Sequence, residues 1–220
     1  MSQVETVEIE TGPRPTGTVL WLHGLGADGH DFEPIVPELV ERGDRPLRFI
    51  FPHAPIRKVT INNSMPMRAW YDIVGFDRNA VQDEKGIRAT DAIVHELIQR
   101  ENERGIPTNR IVLAGFSQGG AVTLYSGIRY PETLAGMMAL SCYMLMASKL
   151  QAERSDANNN TPIFMAHGKY DPVVDFHYGE DSRKFLQAAG YEVEWHPYQM
   201  PHSVCPEEIA DIAKWLRRVL

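Results

Sequence analysis

Residues 110–130, with the sequence RIVLAGFSQGGAVTLYSGIRY, decide the fold of this chain. The segment opens with the apolar run IVLA, passes through a G-x-S-x-G pattern at positions 115–119 and continues as a helical pattern of small residues. A strand, a tight turn and a helix are the setting in which this pattern marks a strained serine whose hydroxyl points away from a sheet. Glycines on both sides let the strand and the helix approach closely. We therefore interpret Ser117 as a candidate nucleophile.

The rest of the chain alternates between apolar strand patterns and helical patterns. This alternation predicts an α/β fold, with a mainly parallel sheet covered by helices on both faces. The chain shows no repeat or linker, so we expect one domain spanning residues 1–220 without a large lid. Strands are predicted near residues 4–10, 18–22, 48–51, 111–114, 134–141, 162–166 and 192–198, and helices from the glycine-rich loop to residue 42 and at 82–104, 120–125, 177–189 and 206–219. Little periodicity is visible between residues 56 and 79.

Composition excludes several classes of protein. The 220 residues carry a net charge of −7 without a basic cluster, which argues against nucleic acid and against charge-driven binding to anionic membranes. No apolar run is long enough for a transmembrane helix, and the polar N-terminus predicts no secretory signal. Two cysteines do not form a disulfide framework, so we expect a reduced, cytoplasmic setting.

A serine nucleophile needs a base, and the chain has eight histidines. His202 follows the last predicted strand and precedes the last helix, which is where the base comes in the chain order nucleophile, acid, histidine. His23 is interpreted as shaping the glycine-rich loop. Five more are interpreted as packing or surface residues, or have no identifiable partner in the sequence: His30, His53, His95, His177 and His196.

The orienting acid is expected between the serine and the base, after a strand. Asp171 lies just past the strand predicted at 162–166 and is followed by a proline. Its expected role is to accept the imidazole N–H and stabilise the imidazolium. The alternative is that Asp171 only caps a turn. Asp175 is the reserve candidate for the acid.

Attack on a carbonyl places negative charge on its oxygen, which backbone N–H groups can stabilise by about 3–4 kcal/mol each. One donor is expected at Gln118, the residue after the nucleophile, at the start of a helix. The second is expected in the glycine-rich loop after the first buried strand, at Leu25. Phosphate binding is the alternative for that loop, but the loop lacks the lysine and the following Ser or Thr of a P-loop.

Several segments together resemble a known family. They are LHGLG at 22–26, FPHAP at 51–55, VTIN at 59–62, MRAWYD at 67–72, GFSQGG at 115–120 and HGKYDPV at 167–173. With them the chain resembles a bacterial carboxylesterase of the phospholipase/carboxylesterase family, which includes acyl-protein thioesterases. The resemblance implies an α/β-hydrolase fold, the triad Ser117, Asp171 and His202, no metal or cofactor, and a homodimer.

Two positions depart from what this family usually has. Pro201 precedes the proposed base, where the family usually has glycine. Because proline fixes φ and removes an N–H, the loop that carries His202 is expected to run differently. Cys142 follows the strand predicted at 134–141, again where glycine is usual. Its side chain is expected to narrow the acyl pocket, with an accessible thiol.

Apolar residues in two long loops are candidates for an acyl-binding groove, because loops without a binding role are usually polar. The alternatives are local packing under the loops, or a dimer contact. The candidate lining residues are Leu25, Met65, Trp70, Ile73, Val74, Tyr143, Met144, Leu145 and Met146.

The function predicted from these residues is hydrolysis of short- to medium-chain carboxylic esters, and of acyl thioesters, through an acyl-enzyme. Two alternatives within enzymes are a lysophospholipase and an enzyme acting mainly as an acyl-protein thioesterase. A third, from another class, is a ligand-binding module that kept a hydrolase fold without turnover.

Overall fold

The computed structural model describes residues 4–75 and 81–220. Its strands are β1 (Thr6–Glu10), β2 (Gly17–Leu22), β3 (Leu47–Pro52), β4 (Ile56–Val59), β5 (Met65–Arg68), β6 (Ile111–Phe116), β7 (Gly136–Leu140), β8 (Ile163–Gly168) and β9 (Val193–Tyr198). Its α-helices are α1 (Val36–Leu39), α2 (Glu84–Glu103), α3 (Gln118–Arg129), α4 (Leu150–Glu153), α5 (Phe176–Ala188) and α6 (Pro206–Val219). Short 3₁₀ turns lie at Glu33–Ile35, Thr60–Asn62, Thr108–Arg110, Ala147–Lys149 and Asp156–Asn158.

Within the described residues, seven strands form one sheet in the order β1-β3-β2-β6-β7-β8-β9. Strand β1 runs antiparallel to β3 at one edge, and every other neighbouring pair is parallel. Parallel neighbours need long crossovers, and helices supply them here. The prediction of a mainly parallel α/β sheet is confirmed. The expectation of a single domain stays a prediction.

Helices cover both faces of this sheet. Helices α2, α3 and α5 pack against one face, where Val94, Leu124 and Leu186 belong to one apolar cluster. Helices α1 and α6 pack against the other face, where Leu39 and Trp215 belong to a second cluster. Strands β2, β3 and β7 are buried along their whole length, which explains their mostly apolar sequences. In the described part of the chain, no helix is both long and apolar enough to cross a bilayer.

Two sequence-based expectations differ from the structure. A helix was expected from the glycine-rich loop to residue 42, but the structure has only α1 there, which has four residues and follows a 3₁₀ turn. Pro34 and Pro37 lack the N–H groups that a longer helix would need. The stretch from residue 56 contains the hairpin of β4 and β5, which pair in antiparallel register. Each strand has four residues and much exposed surface, so no apolar period marks it; residues 76–79 of that stretch lie outside the described part.

Candidate active site

Ser117 occupies the sharp turn between β6 and α3. Its backbone has φ 55° and ψ −117°, a region that L residues rarely adopt. A Cβ added at Gly119 would lie 2.1 Å from the carbonyl oxygen of Leu22, and one at Gly115 would lie 2.3 Å from the Gly119 backbone. The predicted strain and the predicted close approach of strand and helix are both confirmed. Only glycine fits at these two positions.

The structure brings Ser117, His202 and Asp171 into one hydrogen-bonded chain. The Ser117 hydroxyl lies 2.9 Å from Nε2 of His202, and Nδ1 of His202 lies 2.6 Å from Oδ2 of Asp171. A carboxylate can only accept, so Nδ1 carries the proton and Nε2 is free to accept from the serine. The arrangement places a base within reach of the serine proton.

Asp171 is held by its own loop. Its Oδ1 accepts hydrogen bonds from the backbone N–H groups of Val173 and Val174, at 2.8 Å each. Burial alone would raise the pKa of Asp171, but the hydrogen bonds from His202 and from these two N–H groups outweigh it and lower the pKa below its ordinary value. The carboxylate is therefore ionised and oriented before any substrate arrives.

His167 supports this loop and was missed as a site residue in the sequence. It is the second-last residue of β8 and is fully buried, and its Nε2 donates to the carbonyl oxygen of Val174 at 2.8 Å. Burial lowers the pKa of His167, so its ring is neutral at neutral pH. The HG pair before Asp171 was visible in the sequence, but nothing there showed that the imidazole turns back to hold the loop.

Asp175, the reserve candidate for the acid, has a different place. It caps the N-terminus of α5, where its Oδ1 accepts from the backbone N–H of His177 at 3.0 Å and lies 2.7 Å from Nδ1 of the same residue. Its side chain is 66% exposed. The structure does not bring Asp175 into contact with His202.

The remaining histidines take part in other interactions. His53 accepts from the backbone N–H of Gly29, and Nδ1 of His30 lies 2.6 Å from a carboxylate oxygen of Glu33. His95 lies on α2 and His196 on β9, each partly exposed beside acidic residues. Among the described residues, no group of three histidine, cysteine or acidic side chains could hold a metal ion.

The loop that carries Leu25 lies against the start of α3. A Cβ added at Gly24 would lie 3.5 Å from Cβ of Ser117, and one at Gly119 would lie 2.7 Å from the carbonyl oxygen of His23. Gln118 opens α3, where backbone N–H groups have no partner within the helix. The two segments that carry Leu25 and Gln118 therefore flank Ser117.

His23 shapes this loop, as its position in the sequence suggests. Its Nε2 accepts from the backbone N–H of Ala54 at 3.0 Å, so Nδ1 carries the proton and donates to the carbonyl oxygen of Gly24 at 2.7 Å. Burial lowers the pKa of His23 to about 4. A neutral imidazole thus ties the loop after β2 to the chain after β3.

A cavity of about 300 Å³ lies between the loop after β7, the segment before α2 and helix α5. Of the predicted groove residues, Ile73, Val74, Tyr143, Met144 and Leu145 line it, together with Tyr71 and Phe185. The hydroxyl groups of Tyr71 and Tyr143 lie 3.0 Å apart in its wall. The loop after β7 and the segment before α2 therefore form a mostly apolar pocket.

The other predicted groove residues are elsewhere, and these assignments are corrected. Trp70 is completely buried, and Met146 is buried as well. Met65 lies on the hairpin strand β5 with 58% of its surface exposed. Leu25 packs against the core cluster and does not line the cavity. The sequence of a loop does not indicate whether an apolar side chain in it faces a pocket, the core or solvent.

The two departures from the family pattern have different outcomes. Cys142 is 1% exposed, and burial raises the pKa of its thiol, so the expected accessible thiol is wrong. Its Sγ would lie 3.0 Å from a Cβ added at Gly120, so it packs beneath the start of α3.

Pro201 does not prevent contact between His202 and Ser117. The carbonyl oxygen of Pro201 rests against Gly168, where an added Cβ would lie 2.3 Å away.

Glu208, in the first turn of α6, is fully buried, and neither carboxylate oxygen makes a well-aligned hydrogen bond among the described residues. Burial raises the pKa of Glu208 from 4.5 to about 8, although the Cys205 backbone opposes the shift. The unfolded chain therefore loses this proton near pH 4.5 while the folded protein keeps it up to about pH 8. Stability falls across that window as the pH rises.

We therefore expect Glu208→Gln to stabilise the protein in a pH-dependent way. The gain in the free energy of unfolding should be close to zero at pH 4.5 and reach about 4 kcal/mol at pH 8. Urea unfolding of both proteins at the two pH values measures it. An equal difference at both pH values would contradict a buried, protonated carboxyl.

Comparison with known proteins gives consistent matches. Residues 4–220 match the family model described as phospholipase/carboxylesterase. An acyl-protein thioesterase 1 of Neurospora crassa is 43% identical over 92% of this chain and 86% of the relative, and one of Mycosarcoma maydis is 38% identical over 100% of this chain and 99% of the relative. Both organisms are fungi, so these relatives do not support the bacterial origin that the resemblance implied.

Solved structures agree. The crystal structure of Arabidopsis thaliana SOBER1 matches with a TM-score of 0.85 and 33% identity, covering 92% of this chain and 98% of that one. The crystal structure of Zea mays acyl-protein thioesterase 2 matches with a TM-score of 0.87 and 28% identity, covering 98% and 99% of the two chains.

Proposed function

The chain belongs to the phospholipase/carboxylesterase family of the α/β-hydrolase fold and is a carboxylic ester hydrolase, and from this premise we propose the residues and the substrates of its reaction. The proposed triad is Ser117, His202 and Asp171. The observation that carries it is the hydrogen-bonded chain from the Ser117 hydroxyl through both nitrogens of His202 to Oδ2 of Asp171.

The proposed reaction has two steps. The Ser117 oxygen attacks the acyl carbonyl while Nε2 of His202 takes its proton. The tetrahedral intermediate collapses to an acyl-enzyme as the imidazolium returns that proton to the leaving alcohol or thiol. Water then attacks the acyl carbonyl while Nε2 of His202 takes its proton, the bond from the Ser117 oxygen to the acyl group breaks, and the imidazolium returns the proton to that oxygen as the acid leaves. Asp171 holds the ring and stabilises the imidazolium in both steps.

The oxyanion of each tetrahedral intermediate is assigned to the backbone N–H groups of Leu25 and Gln118. Both belong to segments that flank Ser117. The Gln118 N–H lies at the N-terminus of α3, where the helix dipole adds to the stabilisation of negative charge. Removing one such donor in a serine hydrolase costs about 3–4 kcal/mol.

We assign the acyl chain to the cavity lined by Ile73, Tyr143 and Leu145. Each methylene that the cavity buries contributes about 0.8 kcal/mol, or about fourfold in kcat/KM. The enzyme should therefore prefer acyl chains that fill the cavity and gain nothing from longer ones. Tyr71 lines the cavity, and its carbonyl oxygen accepts from the side chain of Gln118, the residue after Ser117, at 2.8 Å.

Narrowing this cavity should shorten the preferred acyl chain. We expect Ile73→Trp to lower kcat/KM for the best wild-type substrate by about tenfold or more and to leave acetyl esters within about threefold. The measurement is kcat/KM across p-nitrophenyl esters of increasing acyl length. Met65→Trp is the matched control because Met65 is exposed on the hairpin and does not line the cavity. A shift caused equally by both variants would contradict the assignment.

Acyl thioesters are the second candidate substrates. Curated relatives of comparable length carry the name acyl-protein thioesterase 1, and this favours a thioester as the main substrate. The proposed triad can cleave both oxygen esters and thioesters. An alkoxide leaves with the proton that His202 returns, and a thiolate is the better leaving group of the two. Matched oxygen and sulfur esters of one acyl chain, compared by kcat/KM after correction for their uncatalysed rates, decide between the two.

The proposal includes a homodimer and a cytoplasmic setting. The family resemblance favours the dimer. The cytoplasmic setting is favoured by two free cysteines, one of them buried. Sedimentation velocity of the purified protein tests the dimer.

A further inference from the structure

Trp70 was predicted to line the acyl groove, but the structure gives it other contacts. Its side chain is completely buried. Its indole Nε1 donates to the carbonyl oxygen of His23 at 2.9 Å, and its backbone N–H donates to Oε1 of Gln118 at 2.8 Å. Its carbonyl oxygen accepts from the hydroxyl of Thr90 on α2. All three polar groups of Trp70 are thus bonded.

The side chain of Gln118 completes the arrangement. It is 2% exposed, and its amide group both accepts from and donates to the backbone of a neighbouring segment. Oε1 accepts from Trp70, and Nε2 donates to the carbonyl oxygen of Tyr71 at 2.8 Å. The proposed reaction uses only the backbone N–H of Gln118, so this side chain has no part in it so far.

These contacts connect the two segments that carry the proposed oxyanion donors. Gln118 is one donor residue. His23 stands two residues before Leu25, the other donor residue. Trp70 is bonded to both segments, by its backbone on one side and its indole on the other. We call the side chains of Trp70 and Gln118, with these hydrogen bonds, the brace.

We propose that the brace is a positioning device for the oxyanion hole, which makes Trp70 and Gln118 positioning residues through their side chains. The inference rests on the proposed function. Each oxyanion donor must lie about 2.7–3.1 Å from an oxygen that exists only in the transition state. The donors belong to two separate segments, whose separation is set by the contacts that bind both: the pairing of β2 with β6, the packing of Gly119 against the carbonyl oxygens of Leu22 and His23, and the brace. The brace does so from buried groups that water cannot reach.

The test compares Gln118→Met and Trp70→Phe. Methionine keeps the length of glutamine and the backbone N–H but removes both amide hydrogen bonds, and phenylalanine removes the bond to His23. We expect each variant to lower kcat by about ten- to a hundredfold, with KM within about threefold. The rate of fluorophosphonate labelling of Ser117 should fall in step with kcat. A rise in KM with unchanged kcat would overturn the proposal.

The double variant tests whether the two residues act as one unit. If either break releases the brace, the double variant should lose no more than about the larger of the two single losses. Losses that multiply would show independent roles and overturn the proposal. Should Trp70→Phe fail to fold, Gln118→Met decides alone, through its kcat and KM.

Asn158→Leu is the matched control for general destabilisation. Asn158 is a buried amide that accepts from the backbone N–H of Leu134 and donates to the carbonyl oxygens of Tyr130 and Glu132, but it lies before β8, at the opposite end of the strands. We expect it to lower the melting temperature and leave kcat within about twofold. If the brace variants, like this control, lowered the melting temperature but not kcat, the proposed role of the brace would be wrong. An inactive Ser117→Ala variant would still support the proposed function.

Discussion

Replacing Ser117 with alanine is expected to lower kcat for p-nitrophenyl esters by about 10⁶-fold. The change removes the oxygen that forms the acyl-enzyme but keeps Cβ, so the backbone strain at φ 55° is the same in both proteins. The hydroxyl lies 2.9 Å from Nε2 of His202, and no other hydroxyl is bonded to that nitrogen among the described residues. Residual activity should come from the oxyanion donors and the binding pocket alone.

Ser126→Ala is the matched control for this experiment. Ser126 lies on α3, fully buried, and its hydroxyl has no partner in the described part of the chain. Its loss should leave kcat within about twofold. A fluorophosphonate probe should label the wild type and Ser126→Ala and fail to label Ser117→Ala. A wild type that binds ligand but is never labelled would favour a binding module, and a folded Ser117→Ala at the wild-type rate would refute the proposed nucleophile.

The second large effect is expected from Asp171→Asn, which should lower kcat by about 10⁴-fold. The carboxylate accepts at both oxygens, from two backbone N–H groups and from Nδ1 of His202. If the amide nitrogen of asparagine takes the place of either carboxylate oxygen, its N–H groups face a hydrogen-bond donor instead of donating to an acceptor. If it faces His202, the ring proton moves to Nε2 and the imidazole can no longer take a proton from Ser117. KM should change little, since Asp171 does not line the cavity.

Asp175→Asn makes the same chemical change four residues later. Asp175 caps α5 and is exposed, so kcat should stay within about twofold of the wild type. The pair of variants separates the two candidates for the acid that the sequence left open. If Asp175→Asn lost more activity than Asp171→Asn, the proposed triad would be wrong at its third member.

The strand, turn and helix around Ser117 could be predicted because their causes are local. Strand β6 is an apolar run, and the glycines at 115 and 119 stand where a side chain would strike backbone within about 2 Å. The ends of parallel strands meet at one edge of the sheet, so chain order alone suggested that Asp171 and His202 would come near Ser117. Contacts set by chain order and backbone geometry leave a pattern in the sequence.

The cavity and the brace left no such pattern. Trp70 and Ile73 stand three residues apart in one apolar stretch, yet one is bonded to His23 and Gln118 and the other lines the pocket. The direction of each side chain depends on the path of the loop over α2 and α3. That path is determined by hydrogen bonds to residues far along the chain, such as the one from Gln118 to Tyr71.

The amino-acid sequence by itself determined the class of fold, the strained serine and the order of the candidate triad, because these depend on short patterns and on the alternation of strands and helices. Only the tertiary structure decided that Cys142 is buried, that Trp70 is hydrogen-bonded to both His23 and Gln118 and that Glu208 is enclosed without a well-aligned hydrogen bond. Burial and long-range hydrogen bonds depend on which segments pack together, and residues that are distant in the chain carry no record of that packing in their own neighbourhood.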